Sequence, residues 1–439
     1  MKTANKYIAV LISAATLSIA GGCSKIENKD LNKPTVDAII ANPAKAELDN
    51  LVTGTEAGLR FQNDFYLDDV GVIGREMYRF SGSEPRYTSE LLGGSTSVLD
   101  NNTFYITNPF GGRTRDARNA WILIQAAPNC KTITDQEKSG YIGWARTIMA
   151  YQLLLNLNLT YNNGIRTDIA DPNKLGPIVS KDQALSDIAG FLDQANTELT
   201  GSSVIFPLSG GFDGFNDAAG LSKFNRALAA RVAVYRQQWD DALTFLSQSF
   251  YSPTGDLKMG IYQNFSSQPN DLLNNVFLAQ NSNGEVRAAH PNFVTQIAAG
   301  DDRINKVSIR TTPATQSGLT SNYDVWVYQS NVAPIPIIRN EELILIYAEA
   351  KINKGGASDL TDARDALNII RTKHNLANYG GAITQPALLD EMLNQRRWSL
   401  YFEGHRWIDM RRYDRLNQLP IDRPEDDVWT EFPIPLTEE

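Results

Sequence analysis

Large apolar side chains recur at helical spacing from residue 141 onward, and the segments that carry them come in pairs. Residues at steps of three and four lie on one face of a helix, so each segment predicts an amphipathic helix. The repeated positions are Tyr141, Trp144, Ile148, Tyr151 and Leu155; Leu185, Ile188, Leu192, Ala195 and Leu199; Phe224, Leu228, Val232 and Tyr235; Trp239, Ala242, Leu243 and Leu246; Leu343, Ile346, Tyr347 and Ala350; and Ala363, Ala366, Leu367 and Ile370. The turn Gly355-Gly356 separates the last two segments, and Pro386 opens a further helix. The pattern predicts a mostly α fold of helical hairpins.

Two local signals refine this prediction. Ser180 and Gln183 have the spacing of a capping box, which places the start of a helix there. Ala230 and Ala242 satisfy the small-residue positions at which the two helices of a tetratricopeptide repeat touch. The tryptophan and glycine of that consensus do not occur, so a generic helical array is the alternative to a tetratricopeptide-like one.

The stretches between the predicted helices have a different composition. Residues 61–115, 201–220 and 251–336 are rich in Gly, Asn, Ser, Pro and aromatic residues and are too long for simple connections. We therefore predict a helical scaffold over 116–250 and 337–413. The first and last of the long stretches, 61–115 and 251–336, would form a long irregular, loop-rich lobe that carries function.

The N-terminus has the features of a lipoprotein signal peptide. Lys2 and Lys6 precede an apolar stretch of 14 residues, which closes on small residues before Cys23. Cleavage before a cysteine makes chemical sense when a lipid is attached to the thiol, so residues 1–22 are predicted to be removed and Cys23 to be lipidated. The alternative is an ordinary secretory signal followed by a chance cysteine.

The rest of the chain is predicted to be one body on a tether. Residues 23–45 are polar and would form the lipidated tether, and 46–439 would form a single body. No second apolar run approaches 18 residues, so the lipid would be the sole membrane attachment. After acylation Cys130 is the remaining cysteine, which leaves no pair for an intramolecular disulfide.

The charge of the chain argues against one class of partner. The formal charge is -9, and removal of residues 1–22 takes away two lysines and no acids, which leaves -11. A nucleic-acid-binding protein needs a basic stripe, and the sequence shows none. We expect no nucleic acid among the partners.

The C-terminal part carries a recognisable motif. The run Arg396–Arg412, RRWSLYFEGHRWIDMRR, resembles the signature of SusD/RagB-type lipoproteins. It departs from that signature at Gln395 and Ser399, where the family more often has Glu. Further matches occur in family order: Arg339–Ala350 (RNEELILIYAEA), the block 227–242, and the closing Phe432-Pro433-Ile434-Pro435.

The resemblance implies a fold, a location and a partner. It implies a SusD-like scaffold of tetratricopeptide-like helices, anchored in the bacterial outer membrane and facing outward. The function it implies is capture of a glycan and delivery to a SusC-like TonB-dependent outer-membrane transporter. Two alternatives remain open at this point: the same architecture capturing peptides, and a lipid-anchored hydrolase.

The signature residues Arg396, Glu403, Gly404, Arg406 and Asp409 are predicted to be structural. Glu403 lies seven residues after Arg396 and three before Arg406, so its carboxylate could bridge both guanidinium groups. Gly404 would allow a sharp turn beside it.

A ligand site is predicted from aromatic and polar side chains. Sugars offer an apolar face and a rim of hydroxyls, which suits aromatic rings beside amides, acids and arginines. Residues 61–110 contain nine aromatic residues, or 18%, against 9% for the chain. The candidates are Tyr66, Asp69, Arg75, Tyr78, Phe80, Tyr87, Asn101, Tyr105, Tyr323 and Trp326. The alternative is that these aromatics pack the core of the lobe.

The sequence offers little for catalysis. His290, His374 and His405 are scattered singly, and the sequence contains no HExxH, P-loop or GxSxG motif. Asp213–Asp217 carries oxygen ligands but lacks the spacing of a calcium loop. We expect a protein that is not an enzyme and has no cofactor or metal.

Overall fold

The computed structural model describes residues 35–94, 97–171 and 174–438. The predicted signal peptide and Cys23 lie outside these residues. Contacts divide the chain into two units, Met1–Ile39 and Ile40–Glu439. In the described part, no helix has the length and apolar character needed to cross a membrane.

The described end of the predicted tether is helical. A short helix, α1, covers Val36–Ala41, and the hydroxyl of Thr35 accepts a hydrogen bond from the backbone N–H of Ala38 at 3.2 Å. Thr35 thus acts as an N-cap for this short helix. The assignment of residues 23–45 to a lipidated tether stays a prediction.

Helices make up most of the second unit, and the predicted mostly α, tetratricopeptide-like fold is confirmed. In chain order they are α2 Lys45–Gly58, α3 Asn63–Ile73, α4 Phe104–Ala126, α5 Asp135–Thr160, α6 Lys181–Leu199, α7 Ala218–Tyr235, α8 Trp239–Gln248, α9 Pro291–Gln296, α10 Asn340–Lys354, α11 Ala357–Lys373, α12 Gln385–Ser399 and α13 Arg406–Arg412. Helices α7 and α8 form the predicted hairpin, with Ala230 and Ala242 both fully buried. Small residues at these two positions leave no room for solvent between the helices.

The lobe is more regular than predicted. Its strands are β1 Met77–Ser81, β4 Gly260–Gln263, β5 Glu285–Ala289, β6 Val307–Gln316, β7 Leu319–Val325 and β8 Ile335–Arg339. Four of them form one antiparallel sheet in the order β1-β5-β7-β6, and β4 pairs with β8. A third sheet joins β2 Ile165–Arg166 to β3 Ile178–Val179.

Residues 61–115 also contain two helices that the sequence pattern did not predict. Helix α3 is buried along most of its length, so it has no polar face and shows no helical period. Helix α4 contains Pro109 together with Gly111 and Gly112, which are signals of a loop. Packing on neighbouring helices stabilises α4 despite these residues.

The hairpin of α10 and α11 uses the predicted face of α11, but α10 meets it with a set of residues in which only Tyr347 was predicted. Ile344, Leu345 and Ala348 of α10 belong to one buried cluster with Ala363 and Leu367 of α11. The predicted positions Leu343, Ile346 and Ala350 are also fully buried but are not part of this cluster. Because α10 is apolar on several faces, its sequence does not indicate which face meets α11.

The cap at the start of α6 forms in part. The hydroxyl of Ser180 accepts a hydrogen bond from the backbone N–H of Gln183 at 3.4 Å. The side-chain amide of Gln183 donates to Asp187 at 2.7 Å instead of returning to residue 180. Ser180 is thus an N-cap without the reciprocal half of the capping box.

The C-terminal signature forms a buried chain of ion pairs. Asp409 accepts from Arg396 Nε at 2.6 Å and from Arg412 Nη2 at 2.9 Å, and Arg412 Nη1 also donates to Glu349 at 2.7 Å. All four side chains are less than a tenth exposed. Each charge therefore depends on its partner, because little water reaches it.

Glu403 has different partners from those predicted. Its two carboxylate oxygens accept from Arg339 Nε at 3.1 Å and Nη2 at 2.9 Å, and Lys306 Nζ lies 3.8 Å away. The predicted bridge between Arg396 and Arg406 is wrong, because Arg396 turns to Asp409 and Arg339 enters from the end of β8. Gly404 makes the expected turn, with φ of +84°.

A buried carboxylic acid links β1 to this signature. One oxygen of Glu76 accepts from the backbone N–H of Phe402 at 3.0 Å, and the other has no partner among the described residues. Burial raises the pKa of Glu76 to about 8, so the folded protein holds this acid neutral at pH 7.

This burial predicts a stability that falls as pH rises. Between about pH 4.5 and pH 8 the unfolded chain releases the Glu76 proton and the folded chain keeps it, so unfolding becomes easier by up to about 1.4 kcal/mol per pH unit. Glu76→Gln should give a flatter profile in urea unfolding measured across this range. The pKa of Asp116 is also raised to about 8 by burial and will keep part of the slope in both proteins. Parallel profiles for the two proteins would contradict the assignment to Glu76.

Candidate functional site

Most of the predicted ligand residues lie in the core. Seven of the ten are at most 5% exposed: Tyr66, Asp69, Arg75, Tyr78, Phe80, Tyr87 and Tyr105. The prediction that these seven side chains form an open binding surface is therefore wrong. The high aromatic content of this segment instead reflects a helix and a strand that are both covered by neighbouring elements.

Individual contacts show what these residues do. The rings of Tyr78 and Phe80 stack on each other, with centroids 5.6 Å apart, and the hydroxyl of Tyr105 donates to Glu90 at 2.6 Å. Arg75 donates to backbone carbonyl groups, including that of Asp427 at 2.6 Å. The polar tips of Tyr105 and Arg75 are therefore used inside the fold, which is the usual arrangement for buried tyrosine and arginine.

Asp69 is the most isolated of these groups. Its carboxyl is fully buried, and neither oxygen has a hydrogen-bond partner in the described part of the chain. Burial, with Asp68 and Asp64 nearby, raises the pKa of Asp69 well above its ordinary value. Burial therefore favours the neutral form of Asp69.

Three of the predicted residues lie nearer the surface. Asn101, Tyr323 and Trp326 are half-buried, and the ring of Trp326 lies 6.1 Å from that of Phe277. Tyr323 lies on β7 opposite Ile309 of β6. A ligand role for these three side chains stays a prediction.

The structure forms a different aromatic pocket, which we call the phenylalanine pocket. It has a volume of about 250 Å³ and lies between residues 60–65 and 265–276. Its half-buried rings are those of Phe61, Phe65 and Phe265. The partly exposed side chains of Leu272 and Leu273 also line it.

Two arginines hold the walls of this pocket. Arg60 Nη1 donates to Asp271 at 2.7 Å and to the carbonyl oxygen of Asn264 at 2.8 Å, which ties the two segments together. The guanidinium of Arg115 lies 4.0 Å from the ring centroid of Phe61. These contacts fix the rings in place before a ligand arrives, which lowers the entropy lost on binding.

The polar groups of the pocket divide into two sets. Asn63 and Asn274 are buried and already bonded, to Gln263 at 3.0 Å and to the carbonyl oxygen of Ala333 at 2.7 Å. In the described residues, no protein group bonds the side-chain amides of Gln62 and Asn275. These two amides can each donate and accept a hydrogen bond toward a ligand.

An acid completes the pocket. Asp64 is half-buried at its lining. Burial, and then the neighbouring Asp68, raise the pKa of Asp64. The pocket therefore presents apolar rings, amides and one acid, a combination that suits a polyhydroxylated ring with an apolar face.

The sequence contains a local signal for this pocket. Arg60–Phe65 reads RFQNDF, with two aromatic residues among amides and charges. The predicted residues came from the densest aromatic runs, which pack inward. Phe265 is distant in sequence, and the contacts of Arg60 with Asp271 and with the carbonyl oxygen of Asn264 bring its segment to the pocket.

One group of side chains has the composition of a metal site. In the described part of the chain, Asp301, Asp302 and His374 could converge on an ion. His374 instead contacts Asp302 at 2.7 Å and Glu341 at 2.8 Å through its two ring nitrogens, and Asp301 pairs with Arg303 at 2.6 Å. These groups already satisfy one another.

The fold and the pocket together define a helical-repeat protein with a ligand-sized surface pocket. The model of the SusD family matches residues 276–431, and no curated protein sequence matches the chain. Residues 276–431 are therefore similar to the SusD family.

Solved structures share this fold at low sequence identity. Surface glycan-binding protein A from Bacteroides thetaiotaomicron aligns with a TM-score of 0.70 and 12% identity over 91% of this chain and 97% of its own. A SusD superfamily protein from Bacteroides vulgatus aligns with 0.68 and 16% over 90% and 96%. A structure of surface glycan-binding protein A from B. thetaiotaomicron in complex with laminarihexaose aligns with 0.66 and 12% over 90% and 97%.

Proposed function

We propose that this chain is a cell-surface lipoprotein that binds a glycan in the phenylalanine pocket and delivers it to a SusC-like TonB-dependent outer-membrane transporter. The observation that carries the binding step is the pocket itself, where three half-buried phenylalanine rings lie beside the side-chain amides of Gln62 and Asn275, which no described protein group bonds. Rings of this kind stack on the C–H face of a sugar, and the amides bond its hydroxyls.

The named relatives support the same proposal. One structure that shares the fold holds laminarihexaose, and its name describes a glycan-binding protein at the surface. At 12% identity the ligand itself does not transfer. The relative supports a binding protein over a hydrolase, because these relatives are named for binding.

The sequence supports the proposed lipid anchor and the proposed transporter partner. The basic residues and apolar stretch before Cys23 support lipidation, and the run Arg396–Arg412 supports the family's partnership with a transporter. Outward orientation in the outer membrane follows from the same resemblance.

The test of binding is a calorimetric titration of the full-length protein in detergent. The panel is laminarihexaose, maltohexaose, cellohexaose and xylohexaose, with hexa-alanine as the peptide probe. We expect at least one saccharide to bind and to compete with the others for one site. Phe265→Ala should weaken that binding about tenfold and leave thermal unfolding nearly unchanged, since the ring is half-buried. Binding of the peptide alone would contradict the glycan proposal, and saccharide affinity that is unchanged in Phe265→Ala would contradict the site.

A further inference from the structure

A second pocket lies at the ends of several scaffold helices, and it differs in charge from the first. Its volume is about 410 Å³, and its lining shares no residue with the phenylalanine pocket. Tyr161, Trp239 and Arg411 lie on its wall, with Lys181 at the start of α6. We call it the tyrosine-tryptophan pocket.

Arg411 is a buried cation without an acidic partner. It is 6% exposed, and it donates to the carbonyl oxygens of Thr430 at 2.7 Å and Asn158 at 2.8 Å. Its Nε has no partner among the described residues, and no described carboxylate lies within salt-bridge distance of it. Burial lowers the pKa of Arg411 to about 10, so it still carries its charge at pH 7. An uncompensated buried charge is costly, and an anion beside it relieves that cost.

A second cation lies beside the same aromatic ring. Lys181 Nζ is 4.5 Å from the ring centroid of Tyr161, and the guanidinium of Arg411 is 3.9 Å from it. The nearest described carboxylate to Lys181 is that of Asp182, at 3.8 Å and 89% exposed, which water screens well.

Nearby acids do not balance these two cations. Asp414 is the acid among the lining residues, and its side chain is exposed to solvent. The remaining lining arginine, Arg412, already pairs with Glu349 and Asp409. Glu431 lies near Arg411 and accepts from the backbone N–H of Asn162 at 3.1 Å. The pocket is thus locally positive on a chain whose formal charge is -9.

We propose that the tyrosine-tryptophan pocket is a second ligand site and binds an acidic saccharide. In this site the carboxylate of the saccharide lies at the ammonium group of Lys181, in the field of Arg411, and a face of the sugar ring packs on Trp239. The two cations favour a ligand that carries a carboxylate. The aromatic wall favours a ligand with a sugar ring, which a simple inorganic anion lacks.

The experiment uses full-length protein in detergent and trigalacturonic acid as the probe, with galactotriose as the neutral counterpart. Titration calorimetry should detect binding of the acidic trimer and none of the neutral one. Binding should weaken as NaCl rises from about 50 mM to 500 mM, since added salt screens an exposed ammonium. Equal affinity for both trimers would overturn the proposal. Acetate that binds as tightly as the acidic trimer would also overturn it, because that result would indicate an adventitious ion only.

Matched variants test whether the acidic trimer binds in the tyrosine-tryptophan pocket. Lys181→Met should weaken binding about tenfold, the usual value of one charge-assisted hydrogen bond. Trp239→Ala should weaken it through the lost ring contact. Lys223→Met removes an exposed lysine away from the pocket and should leave affinity unchanged, as should Phe265→Ala. Full affinity in both Lys181→Met and Trp239→Ala would overturn the site, whatever is found for the phenylalanine pocket.

Discussion

Asp409→Ala is expected to lower the free energy of unfolding by about 3–5 kcal/mol, the usual effect of removing one partner of a buried ion pair. Among the described residues, Asp409 is the one hydrogen-bond acceptor of the Arg396 side chain, at 2.6 Å, and Arg396 Nη1 already lacks a partner there. The substitution therefore leaves a buried guanidinium unpaired. Arg412 is affected less, because it keeps Glu349. Urea unfolding followed by circular dichroism measures the effect.

Two controls separate charge from packing. Asp390→Ala breaks an ion pair with Arg415 in which the Asp390 side chain is 64% exposed, so it should cost at most about 1 kcal/mol. The double variant Asp409→Leu, Arg396→Met replaces both charges by apolar groups and should recover much of the lost stability. A double variant as unstable as Asp409→Ala would show that the cost comes from packing.

Asp409 also determines how the free energy of unfolding changes at acid pH. Arg396 and Arg412 lower the pKa of Asp409 to about 2 against burial, which alone would raise it. A carboxyl with a depressed pKa contributes its full stability above its ordinary value of 3.8, and loses it as pH falls through about 2. Wild type and Asp409→Ala should therefore begin to converge in stability as pH falls below about 4, and their stabilities should be closest below about pH 2.

Loss of two rings from the phenylalanine pocket is expected to have the largest effect on ligand binding. Each aromatic contact in a saccharide site is worth about 1.4 kcal/mol, or tenfold in affinity. The double variant Phe61→Ala, Phe265→Ala should weaken binding of the saccharide found in the panel about a hundredfold. Both rings are half-buried at the lining, so ligand contact is lost while most of the core is kept.

Trp121 provides the matched control for this variant. Its ring is half-buried, and the guanidinium of Arg118 lies 4.0 Å from it, the distance between Arg115 and Phe61. Trp121 does not line the pocket, so Trp121→Ala should leave affinity unchanged. If Trp121→Ala weakens binding as much as the double variant does, the effect comes from general destabilisation.

Asp409 and the phenylalanine pocket belong to different parts of the protein. The signature around Asp409 is inside the scaffold, where its charges hold α12 and α13 together with α10. The phenylalanine pocket lies on segments of the lobe, where a change of side chain costs little stability. A family can therefore keep the first and vary the second, which would let one scaffold serve different ligands.

The sequence by itself determined the helical scaffold. Helices such as α6 and α8 have one apolar face and one polar face, so their period of 3.6 residues appears directly in the sequence. The turn at Gly404 and the hairpin of Ala230 and Ala242 could be predicted for a similar reason, because local chemistry dictates each of them. The resemblance of Arg396–Arg412 added the fold family.

Only the tertiary structure decided which groups meet. Helix α3 has no polar face, and Glu403 has several arginines within reach along the chain, so local pattern identifies neither the helix nor the partner. The aromatic residues of 61–110 could face inward or outward, and packing turned Tyr66, Tyr78 and Tyr105 inward while it left Phe61 and Phe65 at a pocket. Burial depends on what lies across from a residue in space, and residues 265–276 lie about two hundred positions away in sequence.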